Sequence, residues 1–153
     1  MNPSKQNVKP LKVFLNSSLS HLASQMFNQK IKELLQEEGF TCILPQDILP
    51  PVSSTKPKDV FQQNVELIRQ SDLVLSILDA PGEGVIFELG VAYSSNKPII
   101  AFRSDKQGYL GKVIEGFWLL LPKYRKATTL KELRRSLKKF RTLKSIDYNK
   151  SES

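Results

Sequence analysis

The clearest strand in the chain is Leu73-Val74-Leu75-Ser76-Ile77-Leu78, a nearly unbroken apolar run that ends at Asp79. Such a run suits a strand buried on both faces, and burial on both faces is the condition of a parallel sheet. Three shorter runs share this character: Lys12-Val13-Phe14-Leu15-Asn16, Thr41-Cys42-Ile43-Leu44 and Pro98-Ile99-Ile100-Ala101-Phe102. The stretches between them have helical periodicity. Strands that alternate with helices imply an α/β sandwich of three layers, with a parallel sheet of four to five strands covered on both sides.

The helical stretches carry their own punctuation. Leu22, Ala23, Met26, Phe27, Ile31, Leu34 and Leu35 repeat with helical period, and Gly39 is placed to end that helix. Pro45 breaks the second strand, and 46–58 reads as a surface loop with Pro50, Pro51 and Pro57. Pro57 is suited to open the next helix, in which Phe61, Asn64, Val65 and Ile68 share a face. A turn from Asp79 to Gly84 leads into a helical run, Val85 to Tyr93. Residues 113–121 suit either helix or strand, with helix preferred, and Trp118 is expected in the core or at a subunit interface. Thr129 and Glu132 fit a capping box for a last helix with the apolar stripe Leu130, Leu133, Leu137 and Phe140.

Length bounds the organisation. The chain has 153 residues, enough for one sizeable core. The expected division is a flexible N-terminus at 1–9, one domain at 10–143 and a flexible basic and polar tail at 144–153. The net charge of +8 invites a nucleic-acid reading, but the charge is local. Between Lys123 and Lys150 stand eleven basic residues against two acidic ones; the rest of the chain has twelve basic and thirteen acidic. The basic stretch is read first as a solvated helix face, second as a surface for phosphate or a partner, and last as a specific nucleic-acid site.

Lone Cys42 forms no intrachain disulfide, and lone His21 leaves little for a histidine-based metal site or triad. Neither a metal nor an organic cofactor is expected. With no apolar leader and no apolar run of spanning length, a cytoplasmic protein that does not enter the membrane is expected.

In an open parallel sheet, ligands bind at the carboxyl ends of the strands near the switch in strand order. This selects Asn16, Ser17 and Ser18, the Pro45-Gln46 step, and the turn from Asp79 to Gly84. Ser17 and Ser18 either cradle a phosphate, with Lys112 or Arg103 supplying charge, or cap the first helix. Asp79 is either a ligand contact or a turn former, whereas Asp72 is read as a partner for backbone donors or a cap for the preceding helix. Glu88 is conspicuous, a single carboxylate within Gly84-Val85-Ile86-Phe87-Glu88-Leu89-Gly90-Val91-Ala92-Tyr93. It is either a poorly solvated nucleophile or a solvent-facing complement to the helix dipole.

The segment from Asp72 to Asp79, then Gly84 and Phe87-Glu88-Leu89-Gly90-Val91-Ala92, resembles the nucleoside 2-deoxyribosyltransferase family, and Lys97 to Phe102 fits the strand that follows. The resemblance extends over roughly 12–140. It implies a flavodoxin-like, Rossmann-like fold and cleavage of the N-glycosidic bond of a 2′-deoxynucleoside or its 5′-monophosphate. By that resemblance Glu88 is the catalytic nucleophile, forming a covalent glycosyl intermediate that another base or water resolves. The substrate-binding set is Asn16, Ser17, Ser18, Gln46, Asn64, Asp79, Gly82, Glu83, Gly84 and Lys112. The family pattern also implies a homodimer or larger assembly. Two departures stand out: the family's acid six residues before the nucleophile is Gly82 here, and a second acid falls on Asn64. Either Glu83 or Asp79 replaces them, or the base leaves by another route, or the chain is a non-catalytic nucleotide-binding protein.

Overall fold

Side chains that alternate along the strands divide the core into two halves, one on each side of a central sheet. A computed structural model describes residues 9–48, 56–105 and 107–151. The strands are β1 (Lys12–Asn16), β2 (Thr41–Ile43), β3 (Leu73–Ile77), β4 (Ile99–Phe102) and the short β5 (Lys126–Ala127). The helices are α1 (Leu22–Glu37), α2 (Pro45–Ile48), α3 (Pro57–Gln70), α4 (Glu83–Ser94), α5 (Gly111–Leu120) and α6 (Leu130–Ser151).

All strand pairs are parallel, in the order β2-β1-β3-β4-β5. This is the flavodoxin-like order, and its switch point lies between β1 and β3. Val13, Leu15, Leu73, Leu75, Ile77, Ile100 and Phe102 pack on one side with Ile31, Leu34 and Leu35 of α1 and Leu133, Leu137 and Phe140 of α6. Phe14, Val74, Ile99 and Ala101 pack on the other with Ile68 of α3 and Leu89 and Ala92 of α4. Trp118 and Phe117 of α5 lean on this second half and remain partly exposed. Leu75 is fully buried, and truncating such a residue to alanine costs about 2–5 kcal/mol.

The turn chemistry follows the expectations in part. Gly39 has φ +83, the left-handed cap conformation, and a Cβ there would also lie 3.0 Å from the Arg141 guanidinium. Pro57 occupies the first turn of α3. Thr129 Oγ1 accepts from the Glu132 amide at 3.2 Å, as a capping box requires. The Glu132 carboxylate, however, accepts from the backbone and hydroxyl of Thr128, one residue earlier than the ideal box.

Several expectations need correction. Pro45 opens the short helix α2 where a loop was expected; residues 49–55 lie outside the described set. Leu22 and Met26 are exposed at 72% and 60%; the face of α1 turned to the core runs instead through Phe27, Ile31, Leu34 and Leu35. Phe61 and Leu130 are exposed as well. Helix α6 continues to Ser151 through the segment expected to be a tail, carried by good helix formers such as Leu143 and Lys144. β5 has only two residues, too few for any periodicity. Residues 1–8 of the expected N-terminal segment lie outside the described set. Among the described residues, no helix is long and apolar enough to cross a membrane.

Candidate active site

The parallel register aligns Asn16 of β1 with Ser76 of β3 at the switch point. Asn16 is fully buried, and its amide donates to Ser76 Oγ at 3.0 Å and to the Val85 carbonyl at 2.9 Å. It therefore fastens the first turn of α4 to the central strand. The β3–α4 turn is held from the other side. Asp79 accepts from the amide and hydroxyl of Ser104 at 3.1 and 2.6 Å and from the Asp105 amide at 3.0 Å. Ala80 takes φ +45 within that turn, a conformation non-glycine residues adopt at a cost when the surroundings impose it.

One turn into α4, Glu88 faces α3, and Asn64 Nδ2 donates to Glu88 Oε1 at 2.7 Å. The carboxylate fixes which way the amide points, since an amide oxygen there would be repelled. Burial raises the Glu88 pKa from the usual carboxylate value to about 7, and the Asn64 bond partly opposes that rise. Near neutral pH the group is thus divided between its two forms. Its second oxygen is not committed to Asn64. Asn64 Oδ1 and Asn16 Oδ1 are buried acceptors without a partner among the described residues.

Glu88 and Asn64 open into a pocket of about 180 Å³ with Ser17, Ser18, Gly84 and Val85. Leu19, Ser20 and Pro45 complete its wall. No lysine or arginine lines it, and Glu88 is its one carboxylate among the described residues. A carboxylate with one free oxygen, in a small and poorly solvated pocket beside hydroxyls, can act as a nucleophile or as a counter-charge to a developing cation. No cluster of three or more His, Cys, Asp or Glu suited to a metal occurs among the described residues.

Of the residues selected from sequence, the structure brings Ser17, Ser18, Asn64, Gly84 and Glu88 together. Asn16 and Asp79 stand behind them as supports. Gln46 is tied to α1, accepting from Asn28 at 3.0 Å. Gly82 is the N-cap of α4 and Glu83 an exposed residue of its first turn. Lys112 is exposed on α5, outside the pocket wall. Arg103 is not free to supply charge, because Glu115 holds it through two bonds of 3.0 and 2.7 Å. Ser17 and Ser18 do not cap α1, whose N-cap is His21 without a side-chain bond.

Sequence reasoning passed over Asn28. This fully buried amide accepts from Ser17 Oγ at 2.6 Å and donates to the Ser18 carbonyl at 3.1 Å, shaping the β1–α1 loop. The signal was present: Asn28 interrupts the face that Ile31 and Leu35 continue, and a polar residue on a buried face needs partners.

The fold and site define a flavodoxin-like α/β domain with a half-buried carboxylate near the strand switch. The family model described as nucleoside 2-deoxyribosyltransferase matches residues 13–139, and the chain belongs to that family. A Thermofilum pendens protein provisionally named 2′-deoxynucleoside 5′-phosphate N-hydrolase 1 is 26% identical over 95 residues, 60% of this chain and 66% of that protein. A conserved protein of Enterococcus faecalis V583 superposes with a TM-score of 0.67 at 20% identity, covering 86% of this chain and 99% of that one. A CMP N-glycosidase from Clostridium botulinum superposes at 0.58 with 19% identity, over 84% and 98%. These two likenesses establish the shared fold.

Proposed function

We propose that the chain cleaves the N-glycosidic bond of 2′-deoxynucleoside 5′-monophosphates, with Glu88 as nucleophile and water as the default acceptor. The observation that carries this reading is the Glu88–Asn64 pair at 2.7 Å facing a small pocket lined with serines. Asn64 holds Oε1 and leaves Oε2 to attack C1′. The C1′–N bond breaks with its electron pair leaving on the base, and the C1′–Oε2 bond forms. Water then attacks C1′, returns the carboxylate, and yields its proton to solvent or base. The charge on Glu88 stabilises the cationic sugar of both transition states.

The choice of a monophosphate has its own support. Ser17, Ser18 and Ser20 stand before α1, a helix of 16 residues with no side-chain cap and no acid in its first turn. Its first-turn amides and these hydroxyls suit a phosphate. The names of the Thermofilum and Clostridium proteins point to nucleotide substrates too. Asn64 Oδ1 is an acceptor suited to a sugar hydroxyl. With no second acid in the pocket wall among the described residues, the departing base takes its proton from solvent, which suits bases that leave as stabilised anions.

A pocket of 180 Å³ is below the ~300–1,000 Å³ of a complete small-molecule site. It fits the sugar and leaves the base to a further surface. The exposed ring pair Phe61–Phe87, with centroids 5.5 Å apart, flanks Asn64 and Glu88 in sequence. We assign that apolar rim to the base and to a second copy of the chain, in a homodimer acting in the cytoplasm.

The test is base release followed by chromatography from each dNMP and deoxynucleoside, with and without an acceptor base. Release from a dNMP without acceptor is the expected result. Release only with an acceptor makes the chain a transferase. Nucleotide binding by calorimetry with no base released from any substrate overturns the enzymatic reading in favour of a binding protein.

A further inference from the structure

A cavity larger than the Glu88 pocket lies away from it, at the β5 edge of the sheet. It has a volume of about 620 Å³ and shares no lining residue with the Glu88 pocket. Lys123, Lys126, Arg135 and Lys139 converge on it, with the aromatic rings of Trp118 and Tyr124 forming part of the wall. The volume falls in the range of small-molecule sites.

The cations are placed rather than scattered. Arg103, almost fully buried and paired with Glu115, lies 5.9 Å from the centre of the Trp118 ring. The Lys126 ammonium lies 5.7 Å from the same ring. The Arg103 amide also donates to the Ala127 carbonyl at 2.9 Å, so β4 holds the strand that carries Lys126. On α6, Arg135 and Lys139 are four residues apart and thus on one face, with the buried Ser136 beside them.

Four like charges around one cleft repel one another. The salt bridges described for the chain use Lys32, Arg103 and Arg134, and none of these four. Glu132 also lines the cleft, but its carboxylate accepts from Thr128, and one carboxylate cannot balance four cations. Elsewhere in the basic stretch two arginines are engaged structurally. Arg134 pairs with Glu37 and Glu38, and Arg141 donates to the Glu38 carbonyl.

We propose that this cleft is a second ligand site, for an anion bearing several adjacent phosphates. The phosphates lie among Lys123, Lys126, Arg135 and Lys139, and Tyr124, 40% exposed, is the wall that a nucleoside attached to them would meet. The same chemistry is offered by a nucleoside triphosphate and by free polyphosphate. The proposal does not depend on the reaction assigned to Glu88.

Trp118 is the sole tryptophan and lines the cleft, so its fluorescence reports occupancy directly. The full chain is titrated with dATP, inorganic tripolyphosphate and a single-stranded thymidine oligonucleotide at physiological salt. A saturable change with dATP and tripolyphosphate is expected. Tighter binding of dATP identifies a nucleotide, and equal binding identifies free polyphosphate. Replacing the two α6 cations of the cleft, Arg135→Glu with Lys139→Glu, weakens binding at least about tenfold. Lys131→Glu with Lys138→Glu, exposed on α6 but outside the cleft wall, changes it less than about threefold, the size of a screened long-range effect. Glu88→Gln leaves the titration unchanged. No saturable change with either phosphate probe overturns the proposal. So does equal weakening by the two double variants, or tighter binding of the oligonucleotide than of both probes.

Discussion

The Glu88 pocket and the β5-edge cleft are opposite in design. The first half-buries one negative group beside a neutral amide and, among the described residues, brings no cation to it. The second gathers four cations around a larger space. Isolation raises the energy of a charge and makes it reactive, whereas convergence of like charges creates affinity for a counter-ion. The net charge of +8 therefore advertises the second region and says nothing of the first.

The largest expected effect separates the regions by chemistry. Glu88→Gln keeps the shape and the Asn64 contact but removes the nucleophile, so base release falls by at least about 10³-fold. Retention of a tenth of the wild-type rate removes Glu88 from the reaction.

The next acts on the other region. Arg103→Met leaves Glu115 without its partner and removes the cation beneath Trp118, which destabilises the fold by about 2–4 kcal/mol. Glu115 is partly exposed, which keeps the figure below that of a fully buried pair. Urea unfolding measures the loss, and turnover per folded molecule stays near wild type. A proportional fall in turnover shows that the two regions are coupled.

A third prediction concerns the cost of isolation. Because the folded chain raises the Glu88 pKa to about 7, it holds the proton more tightly than the unfolded chain does. Stability from this group is present at low pH and is lost as pH rises from about 4.5 to about 7. Glu88→Gln is thus more stable than wild type at pH 8, by roughly 1–3 kcal/mol, and not at pH 4. Equal stability at both pH values contradicts the burial of the charge. Turnover moves in the opposite direction, increasing with pH through about 7 as the nucleophile ionises.

The smallest effect tests the amide. Asn64→Ala removes the bond that favours the ionised form, so the midpoint of the pH–rate profile moves upward. At pH 7 the rate falls about tenfold, and much of it returns at pH 9. A loss independent of pH assigns Asn64 to substrate contact alone.

What the sequence disclosed follows from how local each signal is. β3 and its turn into α4 were readable because Leu73–Leu78 and the Asp79–Gly84 turn are contiguous. Glu88 stood out against an apolar helix. Asn16 was selected as a site residue, yet its work is to hold Val85, 69 residues away, which no local pattern reveals. Arg103 failed as a phosphate ligand for the same reason, since Glu115 reaches it only once α5 is packed. β5 escaped notice because a two-residue strand depends on its neighbour for its conformation. The division of the basic stretch between structural arginines and a cleft depended on tertiary contacts alone.

The contacts from α6 back to α1 also set an order of events during synthesis. Arg134 and Arg141 reach Glu38 across 96 and 103 residues, so the end of the first helix waits for a segment made much later than itself. The residues of the Glu88 pocket, from Ser17 to Glu88, have all left the ribosome well before then. The Asn64–Glu88 pair can thus form on a sheet still lacking one covering layer. Hydrogen exchange in chains arrested after residue 121 measures this: protection in α4 ahead of protection in α1 is expected, and the reverse order excludes it.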